Sequence, residues 1–214
     1  MSTDPTRRTL LLGLAATLAA PAALAARMQP TPSQTAGPFY PPELPLDDDN
    51  DLTRVRGAAG VARGQITDLS GRLLDLDGTP IRGARIEIWQ CDANGRYRHP
   101  DDRGPVPDPN FQGLGHHVTD SNGRYRFRTI RPVPYPGRTP HIHYAVFLPG
   151  QPPFTTQLYI AGEPRNERDF LFRAVPSERR ALLQAEFRPA KGGRAEYSAS
   201  FDLVLGGRGG TPRA

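Results

Sequence analysis

One cysteine (Cys91), one lysine (Lys191) and one tryptophan (Trp89) are all that a chain of 214 residues carries of these types. A lone cysteine closes no internal disulfide, so the fold has to rest on packing and on any metal it binds. With a single lysine among 27 basic residues, the basic charge is almost all arginine. The net charge of +5 is scattered along the chain with no basic run interleaved with aromatics, which argues against nucleic acid as a partner. Long apolar runs are also missing, apart from one near the N-terminus. What is plentiful is proline (24) and glycine (22), beside 37% hydrophobic residues. The length suits one domain with a real core, and short alternating segments between turn residues place the fold in the all-β class.

Thr6-Arg7-Arg8-Thr9-Leu10-Leu11 sets a twin arginine before an apolar run from Leu10 to Ala26, which closes on the small-x-small pattern Ala23-Leu24-Ala25. The pattern predicts a twin-arginine (Tat) signal peptide over residues 1–25, a ligand for the Tat export machinery. The mature chain would then start near Ala26 and be exported to the periplasm or beyond the cell. A general secretory signal and an uncleaved membrane anchor are the competing readings. The anchor is the weaker of the two, because a run of ~17 residues sits at the lower edge for spanning a bilayer and Gly13 and Pro21 interrupt it. The Tat route carries folded proteins, which suits a metal loaded before export.

Residues 26–57 read as an extended arm, Pro-rich and then acidic through Asp47-Asp48-Asp49-Asn50-Asp51. Its middle, Thr35-Ala36-Gly37-Pro38-Phe39-Tyr40, is too aromatic for a free linker and is expected to lie on the domain. Residues 58–206 form that domain, and 207–214 a flexible tail. Turn signals at Ser70-Gly71, Asp77-Gly78, Ala93-Asn94-Gly95 and Asp120-Ser121-Asn122-Gly123 separate the strands, a spacing that predicts a β-sandwich with long loops. In Ala84-Arg85-Ile86-Glu87-Ile88-Trp89, alternation sends Ala84, Ile86 and Ile88 to the core and leaves Arg85, Glu87 and Trp89 half solvated. Similar alternation runs through Tyr125 to Thr129, His141 to Leu148, Thr155 to Ile160 and Tyr197 to Leu205. One short helix is expected after Pro176, with Ser177 as N-cap and a stripe of Ala181, Leu182 and Ala185.

His141-Ile142-His143 is the sharpest local feature, since i and i+2 on a strand face the same way and set two imidazoles side by side. The spacing fits a metal site and equally a hydrogen-bonded pair. No Asp or Glu occurs from Tyr144 to Gln157, which argues against a two-His, one-carboxylate iron site. Zinc stays open if His116 or His117 supplies a third ligand. Tyrosines are the other candidates, Tyr135 six residues before His141 and Tyr97 after the turn that follows Trp89. A phenol with a pKa near ~10 ligates when a strong Lewis acid displaces its proton, which favours Fe(III).

The run Ile86-Glu87-Ile88-Trp89-Gln90-Cys91-Asp92-Ala93-Asn94-Gly95-Arg96-Tyr97-Arg98-His99-Pro100 resembles the metal-site segment of intradiol ring-cleavage dioxygenases, most nearly their protocatechuate branch. So do Asp108-Pro109-Asn110-Phe111, Phe127-Arg128-Thr129-Ile130-Arg131-Pro132, Pro134-Tyr135-Pro136, Pro140-His141-Ile142-His143 and Thr156-Gln157-Leu158-Tyr159. The resemblance covers about Thr31 to Gly206. It implies a non-haem Fe(III) enzyme that uses O₂ to open a catechol-type ring to a cis,cis-muconate-type diacid. Tyr97 and Tyr135 would be its tyrosinate ligands, Tyr135 the one a substrate displaces, with His141 and His143 completing the set. Arg138 would steady negative charge on the ring, and Gln157 would be a polar pocket residue. Gly37 and Pro38 would lie near the substrate. His99, His116 and His117 match no ligand position, and Cys91 reads as packing.

Three features depart from the family pattern. Only Pro136-Gly137-Arg138-Thr139-Pro140 separates Tyr135 from His141, where relatives carry a longer wall, so a more open site is expected. Phe39 stands where a tyrosine follows Gly-Pro, removing a hydroxyl. No helical N-terminal domain precedes the sandwich, so the dimer of the catechol branch is not implied, although a homo-oligomer remains compatible. Two other function classes also fit part of the sequence. Gly71 to Ile88 resembles the hairpin of transthyretin-like binding modules, and the histidine pair alone admits a zinc hydrolase. Both rivals would be colourless, whereas tyrosinate on Fe(III) absorbs visible light.

Overall fold

Asp-initiated turns set most of the strand boundaries. In three of the four turn segments a glycine at positive φ closes the turn by donating its N–H to an aspartate carbonyl: Gly78 to Asp75 (3.1 Å), Gly95 to Asp92 (2.9 Å) and Gly123 to Asp120 (3.0 Å). The aspartate carboxylates then take further backbone N–H groups, as Asp92 does from Asn94 and Arg96. The computed structural model describes residues 27–44 and 47–206, so the expected signal peptide and the 207–214 tail lie outside the described residues.

Two five-stranded sheets face each other. The first holds β1 (Ile66–Asp75), β4 (Arg124–Ile130), β8 (Arg188–Pro189), β9 (Tyr197–Ser200) and β10 (Leu203–Leu205). Here β1 pairs antiparallel with β4, Leu69 opposite Phe127, and parallel with both β9 and β10. The second runs in the order β3 (Leu114–Val118), β2 (Arg85–Trp89), β5 (His141–Phe147), β6 (Phe154–Ile160), β7 (Gln184–Ala185). Leu69, Leu73 and Phe127 from one sheet and Ile86, Ile88, Ile142, Tyr144 and Leu158 from the other share one buried cluster. This is the expected all-β sandwich.

The structure corrects three sequence-based expectations. Ser70-Gly71 is no turn, because β1 runs straight through it. Gly71 is there because backbone and a ring crowd it: a Cβ would overlap the Phe201 carbonyl and lie 2.7 Å from Tyr125 Oη. The helix after Pro176 is a 3-10 segment, Ser177–Leu183, without a side-chain cap; Ser177 Oγ donates to Glu178 instead. The α-helical turn, α1, is Phe170–Arg173, capped by Asp169. Finally, Glu87 and Trp89 are buried rather than half solvated. The arm covers them, with Tyr40 donating to Glu87 Oε2 (2.7 Å) and packing edge-on against Trp89 (5.0 Å).

That third correction locates the site. Along β5, Ile142, Tyr144 and Val146 enter the sandwich core, so His141 and His143 point to the outer face of the second sheet. A second buried cluster forms there around Trp89, Cys91, Tyr97 and Ala145, roofed by Ala36, Phe39 and Tyr40 of the arm. The arm is tied along the sheet by Gln34 N–H to Thr155 O (2.9 Å), Thr155 Oγ1 to Gln34 O (2.6 Å) and Thr156 Oγ1 to Pro32 O (2.7 Å).

Candidate active site

Four side chains from three stretches converge under the arm. Tyr97 follows the Asp92–Gly95 turn and is fixed by its own N–H donating to Asp102 Oδ2 (2.7 Å). Tyr135 and Arg138 sit at either end of a tight turn, Arg138 N–H donating to Tyr135 O (2.9 Å) with Gly137 at φ 80°. His141 and His143 come from the start of β5. Ring centroids are 5.5 Å apart for Tyr97 and Tyr135, 5.4 Å for Tyr135 and His141, and 4.7 Å for the two imidazoles.

The protonation chemistry of this cluster suits a cation. His141 Nδ1 lies 2.7 Å from the Thr139 carbonyl, which can only accept, so Nδ1 carries the proton and Nε2 presents a lone pair. The Nε2 atoms of His141 and His143 are 3.1 Å apart. That separation aims both ring nitrogens at one small space, as two ligands of a single ion would require. Trp89 stacks on His143 at 4.8 Å and 8° and holds its ring plane. Burial, reinforced by Arg138, pushes His141 down to about 3, and burial, with His141 and Arg138 adding to it, holds His143 well below the usual imidazole range, so both are neutral donors. Burial raises the Tyr97 phenol well above its ordinary value, and its Oη, on a residue 3% exposed, has no hydrogen-bond partner. An unpartnered buried hydroxyl costs about 1–3 kcal/mol, and a metal bound to it would remove that penalty. The residues present therefore fit a ferric ion bound by two imidazoles and two phenolates. Among the described residues no three His, Cys, Asp or Glu side chains gather as a zinc site would require. His116 Nδ1 is instead 2.6 Å from Asp48 O, and His117 packs edge-on to Phe127.

A cavity of about 620 Å³ opens over this cluster, lined in part by Gly37, Pro38, Tyr135 and Arg138. Gly37 lies so close to His143 that a Cβ would sit 3.3 Å from its Cε1, at φ 71° that disfavours any side chain. Gln157 does not line the cavity. Its amide is used beneath it, Oε1 accepting from Arg138 Nη2 (2.6 Å) and Nε2 donating to Thr35 O (3.1 Å).

The family-model comparison matches residues 35–207 to the family described as Dioxygenase. The protocatechuate 3,4-dioxygenase beta chain of Burkholderia cepacia is 39% identical, over 77% of this chain and 74% of its own. This chain belongs to the intradiol ring-cleavage dioxygenase family. Another family member, the hydroxyquinol 1,2-dioxygenase of Corynebacterium glutamicum, is 32% identical over 64% of this chain, which spans about half that relative (48%). Among solved structures, the dioxygenase domain of a dioxygenase and carbohydrate-binding protein fusion from Streptomyces sp. SirexAA-E superposes with a TM-score of 0.64. It is 35% identical and covers 83% of this chain and 99% of its own.

Sequence reasoning on this dioxygenase missed Asp169. Its Oδ2 accepts from Arg138 Nε (2.8 Å) and Thr139 N–H (3.0 Å), while Oδ1 caps α1 through Leu171 and Phe172 N–H (3.0 Å each). The signal was an N-cap aspartate before Phe170-Leu171-Phe172. Tyr159 was missed as well: alternation on β6 puts it beside Gln157, and its Oη lies 3.0 Å from Gln157 Oε1 and 2.9 Å from Gln34 Oε1.

Burial alone would raise the Asp169 carboxyl, but the bonds from Arg138, Phe172 N–H and Thr139 N–H outweigh it and hold the group below 3.8. A carboxyl depressed by folding contributes stability above its unfolded pKa and loses that contribution as pH falls through the folded value. Asp169→Asn is expected to lower unfolding free energy by about 1.5–3 kcal/mol at neutral pH. It should also flatten the loss of stability below pH 3.8. Urea denaturation across pH tests this, and an unchanged acid limb would contradict it.

Proposed function

We propose that this dioxygenase opens catechol-type rings between the two hydroxyl-bearing carbons, consuming one O₂ per ring and releasing a cis,cis-muconate-type diacid. The observation that carries the reading is the convergence of Tyr97, Tyr135, His141 and His143 beneath a cavity walled by Arg138. These four side chains would hold Fe(III). When bound, that ion supplies a Lewis acid that binds the catechol oxygens and makes the ring reactive toward O₂.

The chain's own groups do the rest. Neutral His141 and His143 donate without adding charge. Burial raises the Tyr135 phenol while Arg138 works against it, so a released Tyr135 phenolate is a strong base beside a guanidinium. It accepts the substrate's hydroxyl proton at Oη, and Arg138 Nη1, 3.4 Å away, steadies the oxygen. Arg138, held by Asp169, Gln157 and Tyr159, offsets the anionic charge that develops on the ring. Gly37 and Pro38, with Phe39 stacked on Tyr97 at 4.7 Å, keep water from that side of the ring. Iron-loaded protein given catechol is expected to consume O₂ and catechol one to one and yield a diacid heavier by both oxygen atoms. A semialdehyde product, or O₂ uptake without ring opening, would reject the reading.

The same proposal includes export through the Arg7-Arg8 signal, cleavage near Ala25, and an arm of residues 26–57 leading into a domain of residues 58–206. No helix among the described residues is long and apolar enough to cross a membrane. Replacing Arg7 and Arg8 by lysine is expected to retain the protein inside the cell, and unaltered export would exclude the Tat route.

A further inference from the structure

Both cations in the wall of the active-site cavity are already held by carboxylates. Arg96 Nη1 lies 2.7 Å from Asp102 Oδ1, with side chains only 16% and 11% exposed. Arg138 Nε lies 2.8 Å from Asp169 Oδ2, with side chains 8% and 0% exposed. Each guanidinium thus has a carboxylate partner, and Asp102 itself lines the cavity. Phe39, Pro136, Phe170 and Leu171 make the rest of the wall largely apolar.

From this we infer that the cavity selects catechols bearing a large, uncharged, apolar substituent and discriminates against carboxylated catechols. The inference rests on the ring-cleavage reading and extends it to a substrate class. The hydroxyl end of the ring is fixed at the base, by Tyr135 and Arg138, so a substituent on the far side points toward the rim. There Phe170, 65% exposed, presents an aromatic ring whose other side carries the Arg138 guanidinium, 5.6 Å from the centroid. A carboxylate on that substituent would meet no cation without a carboxylate partner among the described lining residues, and it would approach Asp102. An aromatic substituent instead exchanges water for Phe170 and Leu171. There is room for it, since about 620 Å³ falls in the range of about 300–1,000 Å³ that holds drug-sized ligands, well beyond a bare dihydroxybenzene. One relative is named for protocatechuate, a carboxylated catechol. The charge pairing of this cavity does not favour that substituent.

The test uses the iron-loaded protein with catechol, 3,4-dihydroxybenzoate and 4-phenylcatechol. Calorimetric titration without O₂ gives binding, and kcat/KM with O₂ gives turnover. 4-Phenylcatechol is expected to bind at least about tenfold more tightly than 3,4-dihydroxybenzoate and to keep that lead in kcat/KM. Phe170→Lys, which adds a free cation at an exposed rim position, should move the ratio at least about tenfold toward the carboxylated ring. Equal or tighter binding of 3,4-dihydroxybenzoate by the unaltered protein, or no binding of 4-phenylcatechol, would overturn the inference. The expected binding order without ring opening would instead overturn the ring-cleavage reading and leave the cavity's selectivity standing.

Discussion

Tyr97→Phe and His141→Ala should each lower iron affinity by more than the roughly 10–100-fold typical of losing an outer partner of a metal ligand. Tyr97 is enclosed by Phe39, Tyr135 and Trp89's cluster, so water has little access to take over from the lost phenol. His141 is aimed by its Nδ1–H bond to Thr139, and no described carboxylate or thiolate gathers with the pair to replace it. Tyr97→Phe keeps the stacked ring, so its fold should be intact and its deficit confined to the metal. Elemental analysis after loading against a competing chelator reads the outcome. Iron content near that of the unaltered protein in both variants would remove these residues from the ligand set.

Arg138→Ala should lower kcat on plain catechol by about 10²–10³, or roughly 3–4 kcal/mol of barrier, the usual effect of removing one preorganised charge partner from a partly dry site. The same change strands buried Asp169, and breaking such a pair typically destabilises by about 3–5 kcal/mol. Unfolding must therefore be monitored beside the kinetics. The Asp169→Asn variant separates the two effects, because it weakens the pair and retains the guanidinium. A rise in KM at constant kcat would mean that Arg138 only binds, and equal kcat on plain catechol would show that it has no part in the chemistry.

Much of this site could be read from local sequence. The histidine pair needs only strand alternation, and the Asp92–Gly95 and Tyr135–Arg138 segments are short turns whose residues dictate them. Asp169 could not be read in this way, because it reaches Arg138 across 31 residues and nothing near either residue names the other. The burial of Glu87 and Trp89 was illegible for a related reason. Alternation separates the two faces of β2, but only the arm, arriving from some fifty residues upstream, decides that the outer face is covered. Gly71 misled because glycine marks both turns and close approaches, and Phe201, which fills the space, is 130 residues away. In the helical region, a 3-10 segment reproduced the apolar spacing of an α-helix closely enough to mask where α1 lies.

The visible absorption spectrum of the iron-loaded protein tests the central claim most directly. Phenolate bound to Fe(III) gives a charge-transfer band that neither imidazole nor carboxylate ligation produces. With Tyr97 and Tyr135 as ligands, the protein should be strongly coloured, the band should shift when catechol is added without O₂, and Tyr97→Phe should lose most of it. A colourless protein with a full complement of ferric iron would contradict the account.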